Sequence, residues 1–133
     1  MHRLFITALA CVINLSLCGQ NCVSVPQIGT ATGNTDGLCS PAQVSFQIFN
    51  FSENDPSTIY VVDFGDGYIE SFNHPPPPSV EHSYITTCGY TSPNGSVNSI
   101  AFTVTASNGC GTSQGMIDPI RIHLAPNPII SGP

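Results

Sequence analysis

Asp63, Asp66 and His82 are the residues whose types and spacing most invite a chemical reading. Asp63-Phe64-Gly65 spells the DFG of a kinase magnesium site, and Asp66-Gly67 with Ile69 spells half of an EF-hand loop. The kinase reading fails because the chain has no lysine to hold nucleotide phosphates, and it has neither a Gly-rich loop nor an HRD segment. The EF-hand reading fails on register. With Asp66 at loop position five, positions one, three and twelve fall on Val62, Phe64 and Asn73, where calcium takes its oxygen ligands. A calcium site of another kind, built on Asp63, Asp66 and a neighbouring carboxylate, stays open; so does the plainer role of accepting hydrogen bonds from turn N–H groups. No other cofactor is expected.

The remaining reactive side chains form no catalytic constellation. His82 reads as a base or ligand, or as a packed framework residue; His123 alternates outward, and His74 has no evident partner. No G-x-S-x-G elbow is present. Paired carboxylates for glycoside cleavage need a cleft that a small sandwich rarely offers. No enzyme activity is therefore expected. Aromatic residues offer a binding alternative. Phe49 and Phe51 lie out of phase with Phe46 and Ile48, and Tyr68 and Phe72 flank the next hairpin, so these four either cover the core or a strand edge or form a ligand platform.

Composition narrows the partners. Two arginines stand against eight acidic residues, for a formal charge of −6, which leaves no basic patch for nucleic acid. The first residues, MHR followed by LFITALACVINLSL, read as a secretory signal cut after Gly19, too short to serve as a membrane span. Leu17 before Cys18 spoils a lipobox. Cys22, Cys39, Cys88 and Cys110 then remain, an even set that implies disulfides in an exported chain. None sits in a CxxC or beside a histidine pair, which argues against zinc.

Strands must position these residues. Val44, Phe46 and Ile48 share a face, as do Ile100, Phe102 and Val104, and Ile120, Ile122 and Leu124; period two means half-buried strands. The spacing predicts about seven strands, at 22–29, 42–50, 58–64, 67–73, 79–85, 98–107 and 114–124. Gly65-Asp66-Gly67 joins two of them as a turn that tolerates positive φ, with Tyr60, Val62 and Phe64 facing the core. Pro119 cannot donate to a ladder, so the last strand should be an edge or bulged there. The four prolines at 75–78 form a stiff crossover between sheet edges. Residues 125–133 read as a linker toward a further domain.

VVDFGDG, then VEHSY, then AFTVTASNGCG resembles the pattern of the polycystic kidney disease (PKD) domain family. The matching positions are Asp63, Phe64, Gly65, Asp66, Gly67, His82, Tyr84, Val104, Asn108 and Gly111, spread over residues 22–124. The resemblance implies an all-β, immunoglobulin-like antiparallel β-sandwich in an extracellular protein. The linker and the NGCG turn further resemble PKD arrays of secreted bacterial proteins. Two features depart from the pattern: Val62 stands where the family has Trp, and residues 85–99 form an unusually long segment after the H-x-Y motif. An immunoglobulin-like topology places Cys22 near Cys110 at one pole and Cys39 near Cys88 at the other, implying two disulfides, Cys22–Cys110 and Cys39–Cys88. The resemblance further implies a non-catalytic spacer or adhesive module contacting an extracellular protein or polysaccharide at the cell surface. Two alternatives are a carbohydrate-binding accessory module of a secreted hydrolase, and a longer product whose catalytic domain follows Pro133.

Overall fold

Alternation along the chain becomes two packed antiparallel sheets. A computed structural model describes residues 24–126 and Gly132; the 1–19 signal segment, Cys22 and most of the 125–133 linker lie outside the described residues. Nine strands are formed among the described residues: β1 (Gly29–Thr32), β2 (Leu38–Cys39), β3 (Ala42–Phe49), β4 (Ile59–Asp63), β5 (Ile69–Asn73), β6 (Ser79–Tyr84), β7 (Ile100–Asn108), β8 (Gly111–Ile120) and β9 (Ile122–His123). One sheet runs β1-β3-β6 and the other β5-β4-β7-β8; β2 and β9 make a separate parallel pair.

The core lies between the two larger sheets. On β3 burial alternates strictly, with Ala42, Val44, Phe46 and Ile48 in and Gln43, Ser45, Gln47 and Phe49 out. Phe46 stacks on Phe102 of the opposite sheet at 3.9 Å between ring centres and meets the edge of Tyr84 at 6.3 Å. Tyr60, Val62 and Phe64 are fully buried, as the pattern required. Each such side chain contributes about 1.5–3 kcal/mol on leaving water. Val62, in place of a Trp, is filled around by Phe64, Phe102 and Val104 of the same cluster.

Several expectations hold and several are corrected. The 75–78 prolines carry the chain from β5, an edge of one sheet, to β6, an edge of the other. Pro119 lies on edge strand β8, where the register with β7 slips between Ile100 and Phe102. The first strand is Gly29–Thr32 instead of 22–29. The last predicted strand splits at Arg121, and Leu124 is 64% exposed and does not share the face of Ile120 and Ile122.

The second staple is also corrected. Cys39 and Cys88 are both free and exposed. They stand at one pole, but β9 runs between their segments. Cys39 is in register with His123, whose carbonyl accepts from Ser40 N at 2.8 Å. On the other side of β9, Ile122 N donates to Thr87 Oγ1 at 3.1 Å. Successive residues of a strand direct their polar groups to opposite sides, so the two cysteine segments are held apart by the strand itself. Cys110, by contrast, is disulfide-bonded.

Candidate functional site

The turn between β4 and β5 gathers most of the residues picked out in the sequence. β4 ends at Asp63 because its carboxylate turns back to accept from Gly65 N at 2.8 Å. Phe64 N donates to Tyr68 O at 3.0 Å and closes the loop. Gly65 and Gly67 adopt φ of 85° and 97°, the left-handed region where glycine carries no penalty. A β-carbon on Gly65 would also stand 2.3 Å from the Ala101 carbonyl oxygen, so the turn sits directly on the β7 backbone.

Asp66 links this turn to the other sheet. Its Oδ1 accepts from Tyr68 N at 3.2 Å and its Oδ2 from His82 Nε2 at 2.7 Å. An ionised carboxylate only accepts, so His82 donates from Nε2. The imidazole packs against Phe64, with ring centres 4.3 Å apart, and against Tyr68, at 5.2 Å, and those two rings are themselves 5.7 Å apart. Tyr84, two residues along β6, buries its ring and donates to the Phe64 carbonyl at 2.8 Å. Burial, and then the nearby carboxylates of Asp66 and Asp63, hold the Tyr84 phenol well above its ordinary range. The DFGDG and H-x-Y motifs thus form one clamp between the sheets. His82 packs its ring against Phe64 and Tyr68, and gives its Nε2 proton to Asp66. Asp63 and Asp66, the calcium candidates, are each engaged by turn N–H groups, and no cluster of three or more metal-capable His, Cys, Asp or Glu occurs among the described residues.

Asn108 performs a similar task at the opposite hairpin. Its Oδ1 accepts from Cys110 N at 2.8 Å and shapes the two-residue turn between β7 and β8. Its Nδ2 donates to Ser24 O at 3.2 Å, tying the start of the described chain to this hairpin.

The four platform candidates separate. Phe51 and Phe72 pack against the core. Phe49 and Tyr68 are 43% and 51% exposed, but Tyr68 belongs to the β4–β5 clamp while Phe49 ends β3 on the other sheet. A polar network that the sequence reading missed runs from Gln27 through Asn54 and Tyr60 to His74. Asn54 bonds both backbone groups of Gln27 at 2.7 Å and donates to Tyr60 Oη at 2.9 Å. Tyr60 therefore keeps its own proton for His74 Nδ1, 2.9 Å away. Successive partners are 27, 6 and 14 residues apart in the chain, and no local pattern announces them.

No family model matches the sequence, nor does any curated protein. Among solved structures the chain is similar to the PKD domain of the human VPS10 domain-containing receptor SorCS2, determined in solution. The TM-score is 0.50 and the identity 15%, over 79% of this chain and 80% of that one. The fold is PKD-like. In this chain the motif that carries the PKD-like resemblance in sequence forms the clamp between the sheets, with Asp66–His82 and Tyr84–Phe64 as its hydrogen bonds.

Proposed function

We propose that this chain is a non-catalytic, extracellular PKD-like module, a spacer or adhesive unit contacting protein or carbohydrate at the cell surface. The observation that carries the reading is the fate of the chemically suggestive residues. Asp63 is consumed in shaping the β4–β5 turn, and Asp66, His82 and Tyr84 in holding two sheets together, in a fold similar to a domain of a receptor. The signal-like first 19 residues support export. Cys22 is the proposed partner of Cys110, because Asn108 holds Ser24 beside that hairpin. A second reading, an accessory carbohydrate-binding module of a hydrolase whose catalytic domain lies outside this chain, is favoured by the exposed Phe49 ring.

Fractionation of the source cells tests the proposal. The product should be recovered outside the cytoplasm, lacking residues 1–19, and be accessible to protease on intact cells. Non-reducing peptide mapping should link Cys22 to Cys110, while Cys39 and Cys88 alkylate without denaturant. Recovery in the cytoplasm with the first 19 residues intact would overturn it, as would catalytic turnover by the 133-residue chain alone.

A further inference from the structure

The outer face of the β1-β3-β6 sheet has a chemistry of its own. β3 presents Gln43, Ser45, Gln47 and Phe49 outward at alternate positions. Over six residues this row spans about 20 Å. Across the sheet, Gln47 faces Ser79 and Gln43 faces Ser83 in register. Among the residues that β3 and β6 turn outward here, the one carboxylate is Glu81, and it accepts from Gln43 Nε2 at 3.3 Å. The face is therefore almost uncharged, and it offers amides and hydroxyls that both donate and accept.

Phe49 is set into this face in a particular way. It pairs with Gly29 of β1, and a β-carbon on Gly29 would fall 2.4 Å from the ring. Glycine lets the phenyl ring lie down on the neighbouring strand, covering one side and leaving 43% of the residue exposed. Beside it, Ala31, Thr32, Gly33, Ser45 and Gln47 line a shallow, half-open depression. A flat ring with neutral hydrogen-bonding groups alongside suits a pyranose, whose one side is C–H and whose rim is hydroxyl. Charge selects further. The net charge of −6 opposes an anionic glycan, and the arginine of the described residues, Arg121, sits beside Asp36 next to β9.

We propose that this face binds a neutral polysaccharide, with Phe49 stacking on a sugar ring and Gln47 and Ser45 bonding its hydroxyls. The inference rests on the reading of the chain as an extracellular contact module and names its ligand class. Affinity electrophoresis of the whole chain through gels containing soluble β-glucan, xylan or mannan tests it, with polygalacturonate as the anionic comparison. At least one neutral polymer should retard the chain, and polygalacturonate should not. Phe49→Ala and Gln47→Glu should each weaken retardation about tenfold, while Tyr68→Ala leaves it unchanged. Gln47→Glu alters an exposed side chain, so it reads binding even where Phe49→Ala lowers the melting temperature. Absence of retardation by every neutral polymer overturns the inference, as does loss on Tyr68→Ala with Phe49→Ala unaffected. Either result leaves the contact-module reading standing on a protein partner or another face, whereas cytoplasmic recovery removes both.

Discussion

Tyr84 shows how much one side chain contributes to joining the sheets. Its hydroxyl donates to the Phe64 carbonyl from a fully buried position. Tyr84→Phe keeps the ring but leaves that carbonyl unsatisfied, so it should cost about 1–3 kcal/mol in denaturant unfolding. The pH dependence follows from the raised phenol. The folded chain keeps this proton where the unfolded chain, with its ordinary value of 10.0, gives it up. The stabilisation is thus complete below pH 10 and declines as pH rises above it. Melting temperature should fall above that pH, and less steeply in Tyr84→Phe; identical alkaline slopes would show that Tyr84 is not the group responsible. On the acid side the sign reverses. The Gly37 N–H lowers the Asp36 carboxyl and Ser57 lowers Asp55, so their contributions are present above the ordinary 3.8 and fade as pH falls below it.

Among elements, the β4–β5 turn was the most legible and the β2–β9 pair the least. Asp63-Phe64-Gly65-Asp66-Gly67 combines two side chains that accept from nearby N–H groups with two glycines at positive φ, all local chemistry that a sequence displays. β3 and β7 were legible because alternating burial writes itself into alternating residue type. β2 and β9 are two residues each, too short for any period, and they exist because His123 and Ser40 meet at a distance in the chain. The Cys39–Cys88 expectation failed for the same reason: topology brought both residues to one pole, but a strand with no sequence signal lies between them. Phe51 lies out of phase with β3 and just past its end, and Phe72 pairs with buried Tyr60 on the edge strand β5; both rings pack against the core. The turn supplies a direct test. Gly65→Ala demands a left-handed alanine and places its β-carbon 2.3 Å from the Ala101 carbonyl. The variant should lose at least about 2 kcal/mol. Gly67→Ala, with open space around its β-carbon, should lose less. Equal losses in the two would mean that backbone strain alone, without the packing on β7, sets the requirement for glycine.

At the scale of the whole molecule, the two lateral sides of the sandwich are closed differently. On one side β1 pairs with β3 and packs against β8, so it bridges the sheets. Ser113 Oγ donates to Pro26 O, and Gly115 receives Thr30 so closely that a β-carbon would stand 2.9 Å from its methyl. On the other side β5 and β6 are each terminal in their sheets, joined in sequence by the proline crossover. There the sheets are tied by side chains, through Asp66–His82 and Tyr84–Phe64. Backbone closure at one side and side-chain closure at the other should give separable responses to damage. Gly115→Val wedges β1 away from β8 and should cost about 1–3 kcal/mol, as overpacking does. Hydrogen exchange should then quicken in Gly29–Thr32 and Gly111–Ile120 while Ile69–Asn73 and Ser79–Tyr84 keep their rates. Asp66→Asn, which weakens the His82 tie, should produce the converse pattern. If either substitution accelerates exchange equally on both sides, the sandwich opens as a single unit and the two closures are not independent.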